Sequence, residues 1–324
     1  SAHLKGFALE GLKFGTFRSA VLFKENQIEL PNLTLLRGEG VARGKVIVDI
    51  VEPSLDANLD FEEIQINPLL DDLKLAPELL PYVKGRATGN VTLSGPIAKL
   101  GLTVSASGKD VSFDPLYLPQ AHIEAVRVTG PNSPMIFGIL AGEQEENVIN
   151  VEVSSTGNLA IDLKLEDYPF ANLIIPSLKN RFGRVNLSAD LDGPIDGLNG
   201  RVTLATSECR IDTIDLGDGR GDLLFNNGQF KGNLSFPANA IEATASGQVG
   251  DKIPVSTTIQ FANLEPLRWV DPTTEIGLKT TGSVFIQGDL TDLPALTADA
   301  NLTAAALNWQ GINGTLERAA VISY

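Results

Sequence analysis

A glycine-centred echo recurs three times along this 324-residue chain and limits what it can fold into. It reads GRATGNVTLSGP from Gly85 to Pro96, GRVNLSADLDGP from Gly183 to Pro194, and TGSVFIQGDL from Thr281 to Leu290. The glycines at 95, 193 and 288 stand 98 and 95 residues apart, too regular for unrelated strands, so the chain reads as a repeat array. Upstream of each lies a matching block: NPLLDDLKLAPELLPYVKG from Asn67, YPFANLIIPSLKNRFG from Tyr168, and NLEPLRWVDPTTEIG from Asn263. In each block alternation gives way to a Pro-containing apolar segment, predicted to be a short helix or turn. The unit is therefore strand, short helical plug, then glycine-punctuated strands.

Period-two alternation fills most of the remaining sequence. Leu159, Ile161, Leu163 and Leu165 alternate with Ala160, Asp162, Lys164 and Glu166, which sets an apolar face against a charged one. Val185, Leu187, Ala189 and Leu191 repeat the pattern, as do Val255, Thr257, Ile259 and Phe261, and Leu296, Ala298, Ala300 and Leu302. Between such runs fall Gly38, Gly44, Gly108, Gly157, Gly200, Asn226-Asn227-Gly228, Gly232 and Gly247, which read as breaks between strands. The expectation is an antiparallel, hairpin-connected all-β protein with one wetted sheet face, not a doubly wound parallel sheet. The plugs are too short and proline-broken to cover such a sheet. Its apolar face must be shielded by a second sheet, by closure, or by an apolar ligand. A unit near 98 residues suits an immunoglobulin-like sandwich in size, but there is no Cys/Trp/Cys set, and Trp269 and Trp309 occupy different points of the pattern.

Composition narrows the function. A net charge of −15 and a pI near 4.6, without a basic patch, exclude a nucleic-acid partner and disfavour docking on anionic membranes. The single cysteine, Cys209, rules out an internal disulfide framework. No run approaches the roughly 18 to 20 apolar residues of a membrane-spanning helix, PMIFGILAG from Pro134 being among the longest. SAHLKGFALEGLKF opens without the charged and apolar regions of a signal peptide, and the chain stops in strand-like AAVISY. The expectation is a piece of a longer protein, with any anchor or export signal outside it.

The pattern G-x-[VL]-x-[LV]-x-G-x-[IL], followed by strands such as GLNGRVTLAT from Gly197 or ALTADANLTA from Ala295, resembles the TamB branch of the AsmA-like proteins. The xPLLxxL plug from Asn67 to Leu73 is similar to what that family places between groups of strands. The third copy departs from the pattern, with Asp289 at the proline position and Phe285 on the otherwise polar side. The resemblance implies a long antiparallel curved sheet rolled into an open apolar groove, a β-taco with short helical plugs between repeats. It implies one continuous groove over 1–324, with approximate repeat units 1–96, 97–194, 195–290 and a partial 291–324. It further implies a periplasmic place in a protein anchored in the inner membrane of a diderm bacterium, phospholipid as cargo, and an outer-membrane β-barrel partner. The groove lining would be Leu93, Val104, Val153, Ile161, Leu163, Leu165, Val185, Leu187, Leu204, Phe225, Phe236, Ile241, Ile259, Phe261, Ile286 and Leu302. Roughly 25 strands at about 4.8 Å spacing would extend on the order of 100 Å. A structural or adhesive β-repeat protein with a self-filled interior is the alternative.

Residues that carry chemistry are sparse, and no enzyme, cofactor or metal is expected. His3 and His122 are the only imidazoles, and His122 shares a strand face with Glu124, as a surface histidine does. Cys209 reads as a partly buried structural thiol. DLGDGRGDL from Asp215 reads as a hairpin turn, since it lacks the ligand spacing of a calcium loop, and its RGD tripeptide as chance. The Asn-x-Ser/Thr triplets at Asn90, Asn186, Asn233 and Asn301 follow from β alternation alone. GEQEEN from Gly142 reads as a solvated loop. Leu69, Leu70, Leu73, Leu79 and Leu80, with Leu173, Ile174, Ile175 and Leu178, read as core in the plugs, or as gates across the groove.

Overall fold

Period-two alternation of apolar and polar side chains gives an all-β structure. The computed structural model describes residues 2–5, 8–9, 12–13, 16–67, 83–113, 116–127, 135–141, 147–154, 158–173, 180–211, 214–250, 252–267, 274–316 and 318–323. Two compact units divide the chain, Ser1–Gly157 with Asn172–Ile174, and Asn158–Ala171 with Ile175–Tyr324. Helical structure among the described residues consists of 3-10 turns and the α-helical residues 66–67 and 266–267. The predicted plug residues Leu69, Leu70, Leu73, Leu79, Leu80, Ile174, Ile175 and Leu178, and the loop from Gly142, lie outside the described residues.

The first unit holds β1 (Ala2–Lys5), β2 (Ala8–Leu9), β3 (Leu12–Lys13), β4 (Thr16–Ser19), β5 (Leu22–Lys24), β6 (Gln27–Arg37) and β7 (Gly40–Asp49). It continues with β8 (Ser54–Gln65), β9 (Val83–Pro96), β10 (Gly101–Phe113), β11 (Leu116–Arg127), β12 (Met135–Ala141) and β13 (Asn147–Val153). β4 and β5 pair with successive stretches of β6, and β1 pairs with β4. From β6 to β13 each strand pairs antiparallel with the next. Leu173 adds an isolated bridge to Leu116.

The second unit holds β14 (Asn158–Pro169), β15 (Arg181–Pro194), β16 (Asn199–Ile211), β17 (Ile214–Asn226), β18 (Gln229–Phe236) and β19 (Ile241–Gln248). It ends with β20 (Pro254–Leu264), β21 (Gly277–Asp289), β22 (Thr297–Trp309), β23 (Ile312–Thr315) and β24 (Ala320–Ser323). Each strand from β14 to β22 again pairs with its successor. β23 and β24 both pair with β22.

The three echo glycines occupy one structural position. Gly95, Gly193 and Gly288 come at the ends of β9, β15 and β21 with φ of 110°, 115° and 149°, where a side chain would be strained. Each leads into a 3-10 turn, at Ile97–Lys99, Ile195–Gly197 and Leu293–Ala295. In the third copy, where proline is absent, the Asp289 carboxylate accepts the Thr291 and Ile253 amides at 3.0 Å and the Thr291 hydroxyl at 2.8 Å. The Thr291 and Ile253 amides, with the Thr291 hydroxyl, hold the Asp289 pKa below the ordinary aspartate value of 3.8.

At the opposite end of these strands is a second repeated device. Register slips by one residue between Phe61 and Ile64, Leu165 and Tyr168, and Phe261 and Leu264. Each slip is a β-bulge containing a left-handed residue: Glu63, Asp167 and Asn263, with φ of 52°, 48° and 55°. The amide of each donates to a side-chain oxygen on the next strand, Thr88 Oγ1 at 3.1 Å, Asn186 Oδ1 at 2.9 Å and Thr281 Oγ1 at 3.1 Å. Those acceptors lie seven residues before the echo glycines, so the clamp repeats with the same 98- and 95-residue spacing. β10 and β16 carry matching bulges at Asp110 and Glu208, the Glu208 amide donating to Asp218 Oδ1 at 3.1 Å.

Several glycines depart from their expected role as breaks. Gly44, Gly108, Gly200, Gly232 and Gly247 lie inside strands, as does the segment from Asp215, which is β17 and not a hairpin turn. The physical reason is space. Gly217, Gly219 and Gly221 alternate along one side of β17, and a Cβ on Gly219 would come 2.7 Å from Phe236 Cδ1. A Cβ on Gly247 would likewise meet the Phe230 ring at Cε1, 2.7 Å away, and one on Gly232 would meet Leu223 Cδ1. Large side chains lie flat across the glycines of adjacent strands.

Two outcomes follow. Gly219→Val should dislodge Phe236 and cost about 1–3 kcal/mol, read as a lowered urea midpoint. Because the Asp289 pKa is depressed, its bonds stabilise the fold above the ordinary aspartate range and are lost as pH falls through the folded-state value. Asp289→Ala should therefore lower the thermal midpoint at neutral pH and flatten its decline as pH falls below the ordinary aspartate value, as thermal unfolding across that range will report.

Candidate functional site: an apolar sheet face

Antiparallel register carries the alternation from strand to strand, so each unit builds one apolar face. In the first unit Leu59, Val91 and Val104 stand in line across β8, β9 and β10, beside a row made by Ala57, Leu93 and Leu102. Val153 takes its register place opposite Met135. In the second unit Leu165, Leu187 and Leu204 form one row, and Leu163, Ala189 and Val202 the next. Ile161 faces Leu191, and Val185 faces Tyr168 across the bulge. Phe225 faces Phe230 with ring centroids 5.9 Å apart. Phe236, Ile241 and Phe261 continue the face, followed by Ile259 opposite Val284, Ile286 opposite Ala298, and Leu302 opposite Gly282. By backbone register, the residues expected to line a groove share one side of the sheet within each unit.

Burial divides each face along its strands. Val111 and Leu118 in the first unit, and Leu165 and Val185 in the second, are the most deeply buried large side chains described, each under 2% exposed. All lie toward the bulged end. Tyr168, Cys209 and Phe236 extend that packed row in the second unit. Toward the echo-glycine end, Leu93, Val104, Ile161, Leu163, Leu187, Leu204 and Phe225 are half-buried. The face therefore consists of a packed margin and, toward the echo glycines, a strip in which partly exposed apolar side chains stand among buried ones such as Ala57, Ala189, Leu191 and Phe230.

Polar groups on this face are few. Thr206 is buried, and its hydroxyl has no hydrogen-bond partner. Burial pushes the Cys209 thiol pKa up, and the Asp215 charge adds to that, so the group is a poor nucleophile at neutral pH. The opposite face is polar and satisfied across strands. Arg201 reaches Asp222 at 3.0 Å, Asn233 donates to the same carboxylate at 2.7 Å, and Asn90 donates to Asn58 and Asp60 at 2.6 and 2.9 Å. His122 pairs there with exposed Glu124 at 3.3 Å. The RGD tripeptide lies inside β17, with Arg220 on the polar face beside Ala205 and Ser235. A charged cleft of about 630 Å³ is lined by Glu63, Lys84, Arg86, Lys109 and Asp110, in which Arg86 is already paired with Glu63. Among the described residues no group of three or more His, Cys, Asp or Glu side chains is placed to hold a metal ion.

Comparison with known protein families, characterised proteins and solved structures gives no match to this chain. Among the described residues no helix is long and apolar enough to cross a membrane.

The packed margin and the half-exposed strip should answer differently to truncation. Leu165→Ala should cost about 2–5 kcal/mol, and Leu163→Ala, two residues away on the same face, clearly less. Paired urea denaturation curves measure both.

Proposed function

We propose that the apolar strip holds the acyl chains of phospholipid, and that the protein is a conduit without a chemical step. The observation that carries this reading is that Leu163, Leu187 and Leu204 stay only partly buried beside the fully packed Leu165 and Val185 of the same face. A face built only to fill itself would be packed across its whole width, because each exposed methylene forgoes roughly 0.8 kcal/mol. The margin does pack in that way, which is the feature that a structural or adhesive β-repeat would show throughout. Acyl chains laid on the strip gain the same transfer free energy per methylene as the side chains they cover. Glycines opposite Phe230, Phe236 and Leu223 leave room for the bulk of those side chains to lie close to the sheet. Such a surface holds a lipid without fixing it in one place.

The resemblance to the TamB and AsmA-like proteins supports the wider setting. In it the chain carries phospholipid across the periplasm between inner and outer membranes, anchored in the inner membrane and joined to an outer-membrane β-barrel, with a contribution to outer-membrane protein assembly.

Native mass spectrometry with lipid extraction tests the central claim. Phospholipid should copurify, and a photo-crosslinking residue at Leu163 or Leu187 should form a lipid adduct, whereas one at Lys164 or Ser188 on the polar face should not. Absence of both copurified lipid and face-selective adducts would overturn the conduit.

A further inference from the structure

The first unit presents its most exposed large apolar side chains in or beside three neighbouring turns. Phe23 is 78% exposed, Val51 63%, Ile50 58% and Ile97 51%. The turns touch through their backbones, the Ile50 amide donating to the Asn26 carbonyl and the Ile97 amide to the Pro53 carbonyl, each at 2.9 Å. They are also held stiffly. Asp49 accepts the Val51 and Glu52 amides at 2.9 and 3.0 Å, and Lys24 pairs with Glu29 at 2.7 Å across the β5–β6 hairpin. Rigid turns that offer large apolar residues to water lose hydration free energy without gaining a local contact.

The described side chains of the second unit are less apolar at the corresponding turns. The corresponding turns of the second unit carry Asp196, Asn227, Lys252, Thr291 and Asp292, with Leu290 their one strongly exposed large apolar side chain among the described residues. We propose that Ile50, Val51 and Ile97 in the turns of the first unit, with Phe23 beside them on β5, dock on a bilayer of zwitterionic lipid and insert into its interface. Hairpin ends project, and a fluid interface accepts projecting apolar points without a preformed hollow, whereas a folded partner would need one for each tip. The surrounding charge also fits. Exposed Lys24 and Lys99 alternate with exposed Glu25 and Glu52, so both signs are offered to headgroups that carry both. Ile50, Val51 and Ile97 lie in turns outside the apolar strip, whereas Phe23 stands in β5 opposite Ile28, at the rim of the apolar face.

Flotation of the full chain with vesicles of phosphatidylcholine and phosphatidylethanolamine tests it. Wild-type protein should float, and should still float in high salt because the contact is apolar. The triple substitution Phe23→Ser, Ile50→Ser, Val51→Ser should reduce partition roughly tenfold or more. Leu290→Ser should leave it unchanged. In a Phe23→Trp variant the introduced indole should shift its emission to the blue and be quenched by brominated lipid. The triple variant should keep its circular dichroism and its lipid crosslink at Leu163, which separates loss of docking from loss of fold or failure of the conduit. The proposal is overturned if wild-type protein does not float, if the triple variant floats equally, or if the indole is not quenched. It is equally overturned if light scattering shows that the patch joins two copies of the chain.

Discussion

One hydrogen bond, repeated, keeps the apolar faces continuous. At each bulge two consecutive residues occupy the space of one, and the next apolar residue would point to the wrong side unless the extra residue were held in place. The amides of Glu63, Asp167 and Asn263 are held by Thr88, Asn186 and Thr281 on the following strand. Leu165 and Tyr168, three positions apart, therefore both face inward. Without the bond a one-residue slip would turn the remainder of the strand over. The repeat is thus a strand carrying a clamp near one end and a positive-φ glycine near the other.

That frame divides the work along each strand. Near the clamps, Leu165, Val185 and Cys209 are packed and supply stability. Toward the turns, Leu163, Leu187 and Leu204 are only partly buried. The side chains over glycine reconcile the two, because bulk lies across the sheet and does not stand up from it.

Much of this is legible in the residues. Alternation in Leu159 to Leu165 and in Val185 to Leu191 places the apolar face, and the echo glycines mark the strand ends that turn. Gly44, Gly108, Gly200, Gly232 and Gly247 mislead, because a glycine that lets a neighbouring side chain or backbone come close looks in one dimension like a glycine that ends a strand. Their even spacing from apolar residues is the clue, as in Gly217, Gly219, Gly221, Leu223 and Phe225, which share one parity. The bulges were also signposted, by adjacent residues that interrupt alternation at Glu62-Glu63 and Glu166-Asp167. What identifies a bulge, the acceptor on another strand, is a tertiary contact and has no local trace. The division of the face into packed and half-exposed rows is likewise a property of the assembled sheet, which a single strand's pattern does not contain.

The strand order also bears on how such a protein comes into being. From β6 to β13, and again from β14 to β22, the partner of each strand is the next one to emerge from the chain. Most hairpins are closed by turns of a few residues, so bringing the partners together costs little loop entropy. Each new strand needs only the edge left by its predecessor, as in other arrays whose units contact their nearest neighbours. A chain delivered end first could zip up one strand at a time, and lengthening it by duplication would add strands without altering the order in which the earlier ones assemble.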